Sequence, residues 1–170
     1  MTGRRRDDFA DYVAARRGYL RRVAYLMCGN WHSAEDLVQT ALMKLYVAWP
    51  RIRRQGTEDA YARRIVLRAY LDEQRRPWRR ESIGLDGIDV APDSPTSPED
   101  EDELRAALRT LPERQRATVV LRFWCGLSVE ETAYDMGCSP GTVKSNTARA
   151  LGTLRAKLSD SQPNNNGALR

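Results

Sequence analysis

Histidine and lysine are scarce in this chain. Its 170 residues hold one histidine, His32, and three lysines, Lys44, Lys144 and Lys157, so arginine carries nearly all of the positive charge. A lone histidine excludes most catalytic triads. Cys28 and His32 stand four apart with Gly29 and Asn30 between them, and no second pair is present to complete a four-ligand zinc site, so no metal is expected. The three cysteines, Cys28, Cys125 and Cys138, are odd in number and far apart. They do not form a secreted disulfide framework, and a reducing cytoplasm is the simpler setting. No stretch approaches the roughly 18 consecutive apolar residues of a membrane span, and the basic opening MTGRRRDDF has no apolar run behind it, so neither membrane insertion nor targeting is expected. There is no glycine-rich phosphate loop, and the densest acidic cluster lies where fixed acid–base geometry is hard to hold. The chain is therefore expected to be neither an enzyme nor a cofactor carrier.

What is present is charge, unevenly placed. Residues 1–80 carry 18 basic and 9 acidic side chains, residues 81–103 none and 9, and residues 104–170 carry 10 and 5. The middle segment, ESIGLDGIDVAPDSPTSPEDEDE, adds Pro92, Pro95 and Pro98 and lacks helical periodicity, which predicts a flexible acidic linker. Both flanks show three- and four-residue apolar spacing, with no alternating strand pattern and no internal repeat. The fold class is all-α: two small helical domains, about 8–80 and 104–158, joined by the linker 81–103 and followed by a disordered tail, 159–170. The basic flanks point to a polyanionic partner.

In the first domain Phe9, Tyr12, Val13, Leu20, Val23, Ala24 and Met27 predict one helix or a broken pair, stopped at Gly29. Ser33 is the expected N-cap of a second helix with the stripe Leu37, Val38, Ala41, Leu42, Leu45, Tyr46 and Trp49, closed by Pro50. A third helix is expected from about Glu58 to Arg76, with Tyr61, Ile65, Val66, Ala69 and Tyr70 inward. In the second domain Pro112 opens a helix carrying Val119, Val120, Phe123 and Trp124. Gly126 ends it, and Ser128 with Glu131 then spell a capping box. Gly137 permits a tight turn into a last helix capped by Ser139 and begun by Pro140, with Val143, Thr147, Ala150, Leu151, Leu154 and Leu158 on one face.

Ala133, Gly137 and Val143 have the spacing that lets two helices cross through a short turn, as in a helix-turn-helix. The outward residues Thr142, Lys144, Ser145 and Arg149 then face a DNA major groove, while Arg155 and Lys157 suit phosphates. An ordinary helical hairpin with a solvated basic face is the alternative.

The segment LRTLPERQRATVVLRFWCGLSVEETAYDMGCSPGTVKSNTARALGTLRAKL resembles region 4 of the extracytoplasmic-function sigma factors, with its L-P-x-x-x-R, LSxEExA and GTVKSxxxRAxxxLR patterns. SAEDLVQTALMKLYVAW resembles their region 2.2, and AYARRIVLRAYLDEQRR their regions 2.3 and 2.4. The likeness extends to the SigE-type branch of high-GC bacteria. It implies a protein that binds core RNA polymerase and directs promoter-specific initiation, with region 4 on the −35 element and region 2 holding and melting the −10 element. Promoter DNA and core polymerase are the implied partners, with an anti-sigma factor as a further one. Asp36, Leu37, Val38, Gln39 and Leu42 would dock the polymerase clamp, although Leu37 and Leu42 fit a core position equally well. Arg63, Arg64, Arg68, Arg75 and Arg76 would contact the −10 strand. Tyr61 and Trp49 are possible stacking groups, each also placed on its helix's apolar stripe. Arg68 stands where the family commonly has Asn, while Asp72 matches its acidic position. A stand-alone helix-turn-helix regulator remains the competing reading, because the C-terminal motif alone does not distinguish the two.

Overall fold

A computed structural model of the chain describes residues 2–76 and 98–161. Among them are seven α-helices, one π-helical turn and no strand: α1 Thr2–Cys28, α2 Trp31–Gln55, α3 Glu58–Gln74, α4 Pro98–Arg109, α5 Glu113–Val119, the π turn Val120–Trp124, α6 Val129–Met136 and α7 Pro140–Ser161. The first three helices pack on one another as one domain, and α4 to α7 form the second.

The stripe of α1 is continuous, so it is one helix rather than a broken pair. It ends at Gly29, whose φ of 74° lies in the left-handed region that glycine enters without a Cβ penalty. The second helix begins earlier than expected. Asn30, with extended backbone, is the N-cap, and its side chain accepts a hydrogen bond from the Ser33 N–H at 2.8 Å. Trp31, the first helical residue, stacks on Tyr25 at 3.8 Å, which fixes this early start.

The expected stop at Pro50 is also corrected, because α2 runs through the proline to Gln55. A helical proline cannot donate to the carbonyl four residues back, here that of Tyr46. Arg5 of α1 supplies the missing donor, its Nη2 lying 2.9 Å from the Tyr46 oxygen. The apolar stripe continues past the proline to the buried Ile52. Trp49, one position before Pro50, is 2% exposed and meets Phe9 and Tyr12 at 5.2 and 5.1 Å between ring centroids.

The acidic segment is shorter than its composition implies, since α4 starts at Pro98, inside the expected linker. Proline at a first helical position loses no hydrogen bond, and a run of acids suits a helix start as well as a linker. Residues 77–97, and 162–170 of the expected tail, lie outside the described residues, and α7 extends through 159–161.

In the second domain the predicted caps form. The Glu131 carboxylate accepts from the Ser128 N–H at 2.8 Å, and the Ser128 hydroxyl accepts from the Glu131 N–H at 3.0 Å. The first of these bonds holds the Glu131 carboxyl below its usual range. Its contribution is therefore present at neutral pH and lost as pH falls through that lowered pKa. Ser128→Ala is expected to destabilise the protein by about 1 kcal/mol, read as a lower urea midpoint with an unchanged slope.

Of the apolar residues expected on the helix that follows Pro112, Val119 and Val120 are buried whereas Phe123 and Trp124 are exposed, because the Cys125 N–H bonds the Val120 carbonyl five residues back, and this π turn shifts its last residues out of the α-helical register. Leu158, expected on the inner face of α7, is also exposed, because it lies beyond the last contacts of that helix with the core.

Candidate nucleic-acid interface

Helices α6 and α7 meet through Gly137, which adopts φ 63°, while the Cys138 N–H closes the turn on the Ala133 carbonyl at 3.0 Å. Ser139 caps α7 by accepting from the Thr142 N–H at 3.1 Å. Val143 and Ala150 anchor the helix in the core. The opposite face then presents Thr142, Lys144, Ser145, Arg149 and Arg155, all exposed, and among the described residues no ion pair engages Lys144, Arg149 or Arg155. The five residues expected to face DNA therefore lie on one accessible helix.

The six candidates on α3 and just beyond it divide. Arg68, Arg75 and Arg76 are exposed. Tyr61 is half-buried and, with Arg64, Ile65 and Arg68, lines a small cavity of about 220 Å³. Arg63 and Arg64 turn towards the second domain. The Arg63 Nε donates to Asp135 Oδ2 at 2.8 Å, the Arg64 Nε lies 3.9 Å from Asp135 Oδ1, and the Arg64 guanidinium sits 5.0 Å from the Tyr134 ring centroid. Asp135, on α6, is a buried carboxylate that no sequence pattern singled out. Trp49 is buried in the core, the second of the two positions weighed for it.

On α2 the expected docking residues also divide. Asp36 and Gln39 are exposed. Leu37 and Val38 are corrected to core, at 1% and 0% exposure, because they lie on the stripe that packs against α1 and α3 and offer no surface to a partner. Leu42 is half-buried against the same core. The sequence reading missed Met43 and Val47, which are 70% and 78% exposed. With Gln39 they form a row at four-residue steps, and the signal for it was two large apolar side chains lying off the buried stripe.

Burial raises the Cys125 thiol pKa, partly offset by a hydrogen bond with the Tyr19 hydroxyl of α1. None of the three cysteines is in a disulfide. Among the described residues there is no group of three or more potential metal ligands, and no helix is long and apolar enough to cross a membrane.

Comparison with known proteins places both halves. Residues 12–80 match Sigma-70 region 2, and residues 101–154 match Sigma-70, region 4. The chain is 36% identical to the RNA polymerase sigma-E factor of Streptomyces coelicolor over 156 residues, covering 89% of this chain and 86% of that protein. It is 32% identical to the ECF RNA polymerase sigma factor SigM of Mycobacterium tuberculosis, covering 82% and 71%. In structure it is similar to the sigma factor RpoE from Bartonella quintana, solved in complex with the anti-sigma factor NepR. That likeness has a TM-score of 0.74 and 26% identity, and covers 91% of this chain and 99% of that one.

Proposed function

This chain belongs to the extracytoplasmic-function group of sigma-70 RNA polymerase sigma factors, transcription initiation factors built from regions 2 and 4, and from that premise we infer how its surfaces divide the work. Region 4 places the start of α7 in the major groove of the −35 element. There Lys144 and Arg149 reach base edges, Thr142 and Ser145 make shorter polar contacts, and Arg155 holds a phosphate. Region 2 holds the melted −10 strand along Arg63, Arg64, Arg68, Arg75 and Arg76, whose guanidinium groups track phosphates. The cavity beside Tyr61 receives an extruded base, since a ring flanked by guanidinium groups offers both stacking and hydrogen bonding. The exposed row of α2, with Asp36 and Gln39, docks core polymerase.

What carries this reading is the unpaired basic face at the start of a capped, rigid α7, in a chain whose two halves match regions 2 and 4 in order. An anti-sigma factor belongs to the same reading, supported by the likeness to a sigma factor solved with one. A protein that works with core polymerase works in the cytoplasm, and its part there is recognition and strand holding, with the chemistry left to the polymerase.

Arg149→Ala tests the region 4 assignment. A bidentate guanidinium contact to guanine is worth about 1–3 kcal/mol, so initiation by reconstituted holoenzyme at a −35-dependent promoter is expected to fall about fivefold or more, with core binding unchanged. An equal loss of core binding, or undiminished initiation, would remove Arg149 from the DNA contacts.

A further inference from the structure

Tyr61, Arg64, Ile65 and Arg68 recur at three- and four-residue steps on α3, and together they line the cavity of about 220 Å³. Their chemistry is uneven. Ile65 is buried and lends the cavity apolar surface, while Tyr61, half-buried, brings an aromatic ring. The two arginines can only donate, because a guanidinium group has no acceptor. They also differ in what else they touch. Arg64 is turned to Asp135, its Nε 3.9 Å from Oδ1, and to the Tyr134 ring, whose centroid is 5.0 Å away. Arg68 is exposed, and among the described residues no ion pair or hydrogen bond engages it, not even with Asp72 one turn further along α3.

We propose that Arg68 reads the extruded base and selects guanine. The inference rests on the reading of this cavity as the seat of that base. A guanidinium fork needs two neighbouring acceptors. Guanine offers O6 and N7 on one edge, whereas the same edge of adenine sets an N6 amino donor beside N7, and thymine shows one acceptor next to its methyl group. Cytosine turns an N4 amino donor outward. Its two neighbouring acceptors, N3 and O2, run towards the glycosidic bond, on the side tied to the strand. Guanine, as a purine, also covers more of the Tyr61 ring than a pyrimidine does. Adenine is penalised as well as unrewarded, since its amino group would face another donor and stay unpaired. Arg68 stands where the family commonly has Asn, so an amide that both donates and accepts has given way here to a group that only donates. Of the five arginines on this face, Arg68 is therefore the base reader, and the others are left to the phosphates.

The experiment uses holoenzyme reconstituted with the full chain and a pool of short single-stranded DNA of random sequence. Bound strands are sequenced, and affinities are then measured for the selected strand with each of the four bases, or an abasic site, at every selected position in turn. The parent is expected to select guanine at one position and to bind it there about fivefold or more tighter than adenine. Arg68→Gln supplies an amide that pairs with adenine N6 and N7, so that same position is expected to move to adenine while the other selected positions stay as they were. Arg68→Ala should bring guanine and adenine to parity. Losing the charge weakens all four bases alike, so the ratio of guanine to adenine decides, not the affinity. Residue 68 is exposed, and Gln and Ala are good helix formers, so both variants should keep the parent's circular dichroism spectrum. A guanine preference that survives both substitutions would overturn Arg68 as the reader, and a responding position at which the parent selects another base would overturn guanine. If no abasic site weakens binding, the cavity is not the seat of an extruded base, and that reading fails together with the inference.

Discussion

Trp49→Ala is expected to lower stability by about 4 kcal/mol, which would consume much of the roughly 5–15 kcal/mol available to a domain of this size. The indole is 2% exposed, with Phe9 edge-on at 5.2 Å and Tyr12 tilted at 5.1 Å, so truncation removes both ring contacts as well as the apolar area. The cavity would open just before Pro50, where α2 already lacks one backbone bond and relies on Arg5 to satisfy Tyr46, so the site is poorly placed to collapse around the void. Urea denaturation followed by circular dichroism is the direct measurement. Trp49→Phe, which keeps most of the buried area, should retain most of the stability. A Trp49→Ala chain as stable as the parent but defective in −10-strand binding would restore the stacking role that burial argues against.

How much of the fold was legible in the sequence depended on distance along the chain. The capping box at Ser128, the turn at Gly137 and the cap at Ser139 were readable because each is a local rule satisfied within a few residues. Helix ends that depend on distant partners were not. Pro50 looks like a terminator until Arg5, far away in sequence, is seen to satisfy the Tyr46 carbonyl. The start of α2 moved upstream because Tyr25 holds Trp31. The π turn at Val120–Trp124, which leaves Phe123 and Trp124 exposed, has no signature in the spacing of the apolar residues around it.

The candidate site shows the same division. Residue types on α7 announced an outward basic face, and α3 announced its arginines, but Asp135 reads in sequence as an ordinary polar residue on a short helix. Its burial between Arg63 and Arg64 is a property of domain packing. Leu37 and Val38 were placed on the docking face by resemblance, whereas the helical period places them in the core and leaves Met43 and Val47 outside.

That row on α2 leads to the second large effect. Met43→Glu is expected to weaken binding of core polymerase about 30-fold or more while leaving the fold intact. Met43 is 70% exposed and glutamate is a good helix former, so the change in stability should stay within about 0.5 kcal/mol. At a docked interface the same carboxylate would be buried without a partner, and central interface positions of this kind cost about 2 kcal/mol or more, which is the source of the 30-fold figure. Val47→Glu, one turn further along the same row, should act alike, and because the two sites are neighbours the double variant need not show the sum. Lys44 lies beside Met43 but off the Gln39–Met43–Val47 row, so Lys44→Ala should have a smaller effect. Core binding by competition with labelled parent chain, alongside duplex binding through α7, separates the possibilities. A chain that keeps full duplex binding and loses core binding supports the α2 row, while full core binding by Met43→Glu would move the docking face elsewhere. Leu37→Ala provides the contrast, because at 1% exposure it can weaken core binding only by loosening the helix that presents the row, and its loss should therefore track its urea midpoint.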